Sequence, residues 1–278
     1  EAFGGTLDSS FSAHAKLDSQ SGELHAMCYE FPRGSYQVNH VVVGRDGRVS
    51  KTQSIDLPSQ TMLHECAITD NYVLVFDLSV TFSKYKLVRG YFPFSWNDQH
   101  QARIGLLNRK IDDQKVQWFN IDPCYFFHTF NAHEDERGNV VVEAMRYQRL
   151  FDKDWNGPFY EAPPMLARWK LNVASGRVTE NMVDDLPGEF PRVHPERDGR
   201  PYQFGYCLGT GPMKDPDFGR IIKYDLALDS REVYELPANE LGAEPIFIPS
   251  QGAQSEDSGF LMSLVYDKSE NKSNLQIF

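Results

Sequence analysis

The chain is a succession of short apolar runs, each closed by turn residues. "HVVVGRDGRVSKTQSIDL" (40–57) alternates apolar and polar positions and turns at Asp46-Gly47, which predicts two strands joined by a hairpin. "NYVLVFDLSV" (71–80) is a continuous β-rich run. "VQWFNI", "NVVVEAMRY", "LARWKLNV", "YQFGYCLG", "RIIKYDLA", "REVYELP", "PIFIPS" and "GFLMSLVYD" follow at the spacing of antiparallel sheets. "LNVASGRVTE" and "YDLALDSREVYEL" each pair an apolar strand with a polar return. No long run carries the i, i+3, i+4 pattern of an amphipathic helix. The fold class is therefore all-β, with residues 1–278 forming one domain. Regular spacing suits a β-propeller or two large sheets, although no WD or kelch repeat is present. "GTGPMKDPDFG" (209–219) is expected to be a loop within the fold, not a linker.

Composition narrows the class. Of 278 residues, 41% are hydrophobic and 13% aromatic, enough for a packed core. A net charge of -11 repels phosphate backbones, so nucleic acid is not an expected partner. No apolar run is long enough to span a bilayer, and the first residues lack the basic start of a signal peptide. A cytoplasmic protein, with peripheral membrane contact left open, is the resulting expectation. Cys28, Cys66, Cys124 and Cys207 are far apart and form no CxxC pair. Two disulfides are possible by count, but four reduced, apolar-packed thiols are the favoured reading. Both ends read as cut, in mid-strand at "SNLQIF", so a fragment of a longer chain is expected.

The eight histidines carry the candidate chemistry. "FFHTFNAHED" (126–135) holds His128 and His133, an odd number of positions apart. In a regular strand they face opposite sides, so at most one serves a given site. His14 in "FSAHAKLD" and His64 in "TMLHECAITDNYVLVFD" also sit in apolar settings. Taken singly, such a histidine is more often a hydrogen-bonded core residue than a ligand. The long intervals between His14, His64 and His128 exclude a zinc finger and suit ligands delivered by successive propeller blades to a common axis.

Five segments, in order, resemble the carotenoid cleavage oxygenases, the family of carotenoid, apocarotenoid and lignostilbene dioxygenases. "SAHAKLDSQSGEL" resembles the family's TAHPKxDPxTGEL segment, and "MLHECAITDNYVLVFDLSV" its MHDFAITxNYxVFLDLP segment. "PCYFFHTFNAHED" resembles CYxFHxxNAxEE, and "GEFPRVHPERDGRPYQFGY" resembles EFPRxNxxxxGRxYRYGY. "GAEPIFIPSQGAQSEDSGFLMSLVYD" resembles GEPxFVPxPxAxxEDDGxLLSxVYD. The resemblance covers essentially the whole chain. It implies a seven-bladed β-propeller, incomplete here, with one ferrous iron, Fe(2+), on four histidines. His14, His64 and His128 match three of them; the fourth would lie past Phe278. Glu189 and Glu244 match two of the family's glutamates that hydrogen-bond the ligand imidazoles, and a third would precede residue 1. A carboxylate on the far ring nitrogen fixes tautomer and orientation. Ala15 replaces the family's proline, which loosens the backbone without removing a ligand. His133 and His194 fill positions that are not ligands in the family, and His25, His40 and His100 have no motif support.

Imidazole suits Fe(II), and four neutral ligands leave two octahedral positions for chemistry. The implied reaction is scission of one C=C bond of a carotenoid, apocarotenoid or stilbene by O2, giving two carbonyl products. The expected partners are thus an apolar polyene or stilbene and O2. The leading alternative is a non-catalytic β-propeller binding module or a degraded member lacking the fourth ligand. Retinyl-ester isomerisation on the same iron and a calcium-dependent propeller lactonase are weaker readings. The residues that grip a stilbene phenol in the family would precede His14. "YFPFSW" (91–96) is aromatic enough for membrane contact, but a core or rim role is favoured.

Overall fold

The computed structural model describes residues 2–29, 36–111, 114–155, 157, 161–211 and 218–278. The middle of the loop expected at 209–219, residues 212–217, lies outside the described residues. The architecture is all-β, as the alternation predicts, and every strand pairing is antiparallel.

The first sheet is an up-and-down meander of β1 (Lys16–Leu17), β2 (Leu24–Cys28), β3 (Gln37–Val43) and β4 (Val49–Asp56). The β3–β4 turn places Gly47 at φ 74°, a conformation that glycine adopts without Cβ strain. The second sheet runs β10-β9-β6-β5, from β5 (Ala67–Ile68), β6 (Tyr72–Asp77), β9 (Arg103–Asn108) and β10 (Gln117–Asn120). Between β6 and β9 the chain leaves the sheet. It forms the small hairpin of β7 (Val80–Phe82) and β8 (Phe94–Trp96), with the one-turn helix α1 (Lys84–Val88) at its tip. Ser83 caps α1 by accepting from the Lys86 amide. Lys86 turns inward and donates to the carbonyls of Phe94 and Phe151, which ties the hairpin to the body.

The third sheet has seven strands in sequence order: β11 (Thr129–Glu134), β12 (Val140–Arg146), β13 (Met165–Leu171), β14 (Val178–Val193), β15 (Phe204–Gly209), β16 (Arg220–Asp225) and β17 (Ser230–Glu235). Strand β14 is 16 residues long and serves two partners. Its first part, Val178 to Pro187, pairs with β13, and its last part, Gly188 to Val193, pairs with β15. A close approach explains Gly188: a Cβ there would fall 2.8 Å from Cys207 Sγ. The last sheet pairs β18 (Glu240–Gly242) and β19 (Ile246–Pro249) end to end along β20 (Gly259–Asp267), with β21 (Lys272–Ile277) outside.

The largest core cluster lies between the second sheet and the β11–β13 part of the third, and centres on Phe76, Phe126 and the fully buried Trp169. Burying such side chains is the main driving force; truncating one costs about 3–5 kcal/mol. All four cysteines are buried free thiols. No helix among the described residues is long and apolar enough to cross a membrane.

The first sheet also buries an imidazole pair that no sequence pattern singled out. His25 Nδ1 lies 3.0 Å from His40 Nε2, with the rings stacked at 5.3 Å. Burial disfavours charge on both, and neighbouring Arg109 and Lys51 add to it, so the folded values fall to about 4 and about 3. The unfolded chain would take up these protons near pH 6.5; the folded chain holds off until the lower values. The pair's stability is therefore complete above pH 6.5 and is lost as pH falls toward 4. Unfolding free energies from denaturant titrations at pH 7 and pH 5 should differ by up to about 2 kcal/mol per histidine. His40→Leu should flatten that dependence; an unchanged dependence would show that the pair does not titrate on unfolding.

Candidate metal centre

Each candidate histidine stands just ahead of the edge strand of its sheet. His14 precedes β1 by two residues, His64 precedes β5 by three, and His128 precedes β11 by one. The strand edges β1, β5 and β11 thus bring three imidazoles from three sheets to one point. Ring centroids are separated by 4.5 Å for His14–His64, 4.9 Å for His14–His128 and 5.0 Å for His64–His128. One ring nitrogen from each falls within 4.8 Å of the others. His14 also bridges to Glu65 through its backbone, in parallel, which fixes the first segment beside the second.

The environment sets the protonation of these rings. Burial lowers His64 to about 4, helped by the nearby His128 and His14 rings. Burial also lowers His14, against the opposing pull of Glu65. Both therefore keep a free lone pair at neutral pH. For His128, burial also pulls downward, but the hydrogen bond and charge of Glu189 outweigh it and raise the value. His128 Nδ1 lies 2.7 Å from Glu189 Oε2 and donates to it, leaving Nε2 as the nitrogen free to bind. Three convergent imidazole nitrogens, one oriented by a buried carboxylate, fit a transition-metal ion. A metal would displace any proton held at Nε2.

Glu189 is held in turn by an unusual piece of backbone. Phe190 has φ 55°, a left-handed conformation that costs a residue with a Cβ on the order of 1–3 kcal/mol. The register of β14 against β15 shifts between Glu189 and Arg192, so this is a bulge. The bulge turns the Phe190 amide back onto the Glu189 carboxylate at 2.8 Å and sets the Phe190 ring 5.2 Å from His128. Phe127 stands edge-on to His64 at 5.1 Å, and Phe218 lies 6.0 Å from Phe190. These three rings are only partly buried and form an apolar wall beside the imidazoles.

Glu244 lies near the three imidazoles without bonding to them. It occupies the break between β18 and β19, and its charge raises both His14 and His128. Its carboxylate, however, pairs with Arg192 at 2.7 Å, and it shows no hydrogen bond to His14, His64 or His128. His133 lies outside the group, against the Tyr202 ring at 5.9 Å. Simple alternation is not the reason, because β11 carries a bulge between Thr129 and Asn131 that interrupts the period. His194 caps a short turn by accepting from the Glu196 amide. Asn131 and Glu134 of "FFHTFNAHED" tie the stretch to its neighbours. Asn131 binds the carbonyls of Arg197 and Arg200, and Glu134 accepts from Thr69 and Asn71.

The family model for retinal pigment epithelial membrane protein matches residues 1–278. A carotenoid cleavage oxygenase of Mycobacterium tuberculosis is 31% identical over 324 residues, covering 98% of this chain and 64% of that protein. A carotenoid 9,10(9',10')-cleavage dioxygenase of Phaseolus vulgaris is 29% identical over 291 residues, covering 98% of this chain and 53% of its own length. The crystal structure of a cobalt-substituted Synechocystis apocarotenoid oxygenase superposes with a TM-score of 0.87 at 23% identity, over all of this chain and 61% of that one. The chain thus spans between half and two thirds of the length of these relatives.

Glu189→Gln removes the anionic acceptor and should weaken binding of Co(II) or Fe(II) by about 10–100-fold. Competition titration against a chelator checks this, and an unchanged affinity would make Glu189 a bystander.

Proposed function

The chain belongs to the carotenoid cleavage oxygenase family, and from that premise we propose that it is part of an Fe(II)-dependent dioxygenase. The substrate is a carotenoid or apocarotenoid, cut at one C=C bond by O2 into two carbonyl products. His14, His64 and His128 would hold the iron. The five sheets or half-sheets here are part of a seven-bladed propeller whose remaining blades come from outside these residues. The observation that carries this reading is three convergent imidazoles beside an aromatic wall, with the nearby carboxylates already engaged.

Ferrous iron bound there would supply the redox chemistry that lets O2 react with an alkene. Both oxygen atoms end in the two carbonyl products, so the net reaction asks for no proton donor or acceptor. That matches the side chains present. Glu189 is committed to His128 and the Phe190 amide, Glu65 to Lys16 and Thr129, and Glu244 to Arg192. Phe127, Phe190 and Phe218 would hold the polyene by apolar contact and keep water from the reacting bond. Positioning, rather than acid–base catalysis, is then the protein's main contribution.

A polyene would arrive from a membrane, and α1 would offer a contact. Tyr85, Leu87, Val88, Tyr91 and Phe92 are exposed together, with Val88 80% exposed and Arg89 stacked on Tyr85 at 4.5 Å. A cluster of apolar and aromatic side chains with a cation at its edge suits the headgroup boundary of a bilayer.

His64→Ala or His128→Ala in the purified protein should lose iron and apocarotenoid turnover together, read by metal analysis and aldehyde formation. Iron near one equivalent in both variants would overturn the ligand set. Iron binding without turnover of any apocarotenoid or stilbene would favour a non-catalytic binding module. Leu87→Asp/Val88→Asp should reduce cosedimentation with phosphatidylcholine vesicles severalfold; unchanged sedimentation would remove α1 from the membrane contact.

A further inference from the structure

Glu65 follows His64 directly, yet it is no ligand candidate and matches none of the carboxylates expected to orient an imidazole. It is 6% exposed, and three donors converge on one of its oxygens, Oε1. Lys16 Nζ approaches it at 3.1 Å, the Thr129 amide donates to it at 2.8 Å, and the Thr129 hydroxyl donates to the same atom. Lys16 lies two residues after His14, and Thr129 lies one residue after His128. One carboxylate oxygen therefore joins the three segments that carry the three histidines.

We propose that Glu65 is a positioning residue that sets the mutual spacing of the His14, His64 and His128 imidazoles and thereby the metal affinity of the centre. This rests on the reading of those histidines as metal ligands. The physical case starts from the strand edges. β1, β5 and β11 each end their sheet, so the backbone groups that face the centre lack a neighbouring strand. A buried amide such as that of Thr129 needs an acceptor, and Glu65 provides it from another sheet. Besides the His14–Glu65 bridge, this junction holds the first two sheets to the third at the level of the rings.

A purely stabilising role explains the arrangement less well. A buried Lys–Glu pair recovers little more than its desolvation cost, and an apolar pair of similar size often stabilises as much. Its value is geometric: it fixes where three separate segments meet. A metal site needs that precision, because ligands misplaced by a fraction of an ångström bind more weakly. Beside the junction is a cavity of about 350 Å³ lined by Lys16, Thr129, Phe130, Arg192, Asp198 and Phe247. That cavity leaves the segments after His14 and His128 room to shift if the junction is broken.

The test is Co(II) titration of the purified protein, read by the visible d–d bands and by thermal unfolding. Wild type should bind one Co(II). Glu65→Gln keeps the shape but removes the charge that gathers Lys16. It should weaken Co(II) binding by about 10-fold or more and change the band intensities at temperatures where the variant is folded; the metal-free unfolding temperature also falls, because Lys16 stays buried without this anion. Thr129→Val keeps the volume, removes one donor and should weaken binding by a smaller factor; it decides the matter where Glu65→Gln does not fold. Wild-type affinity and bands in the variant that folds would overturn the proposal while leaving the ligand assignment intact. Absence of Co(II) binding in wild type would overturn both.

Discussion

Everything at the centre depends on one constraint: sheets that meet edge to edge cannot satisfy one another's backbone by strand pairing. β1, β5, β11, the second half of β14 and the β18/β19 edge come from different sheets or half-sheets. Apart from the single His14–Glu65 backbone bridge, what joins them is polar side chains. Glu65 joins the first three, Glu189 holds His128, and Arg192 meets Glu244. Buried charge is costly unless paired and hydrogen-bonded. The carboxylates therefore sit where they have several donors, and the imidazoles sit between them, with His14 and His64 kept neutral by burial and open to a cation.

The same constraint explains the strain. A regular strand would keep the Phe190 amide in line with the rest of β14. The bulge instead points it at Glu189, and the left-handed Phe190 absorbs the turn. The cost is local, and the return is a carboxylate fixed at both ends and a phenyl ring against His128. With the charged groups committed to one another, the partly exposed surface near the imidazoles is aromatic.

Much of this was legible in the sequence because it follows local periodicity. The Asp46-Gly47 hairpin, the continuous run that became β6 and the "LNVASGRVTE" hairpin of β13 and β14 are all in place. His14, His64 and His128 were legible through their surrounding segments, and the structure brings their rings together. What stayed hidden is long-range. β14 runs through Pro187-Gly188 to serve a second partner, which local periodicity does not show. His133 sits apart from His128, but a bulge breaks the alternation that predicted it. Glu65 is a single acid beside a histidine, and only tertiary contact reveals its three donors. His25 and His40 carry no motif because each is the other's partner across β2 and β3. Glu244 matches its segment, but its contact here is Arg192.

The central claim is that three histidines from three sheets form one metal centre. The most direct test is anomalous diffraction at the iron edge from crystals loaded with Fe(II) under anaerobic conditions. The account predicts one strong peak bounded by the His14, His64 and His128 rings, with Glu189 still on His128 Nδ1. A peak elsewhere, or none at full iron occupancy in solution, would contradict it.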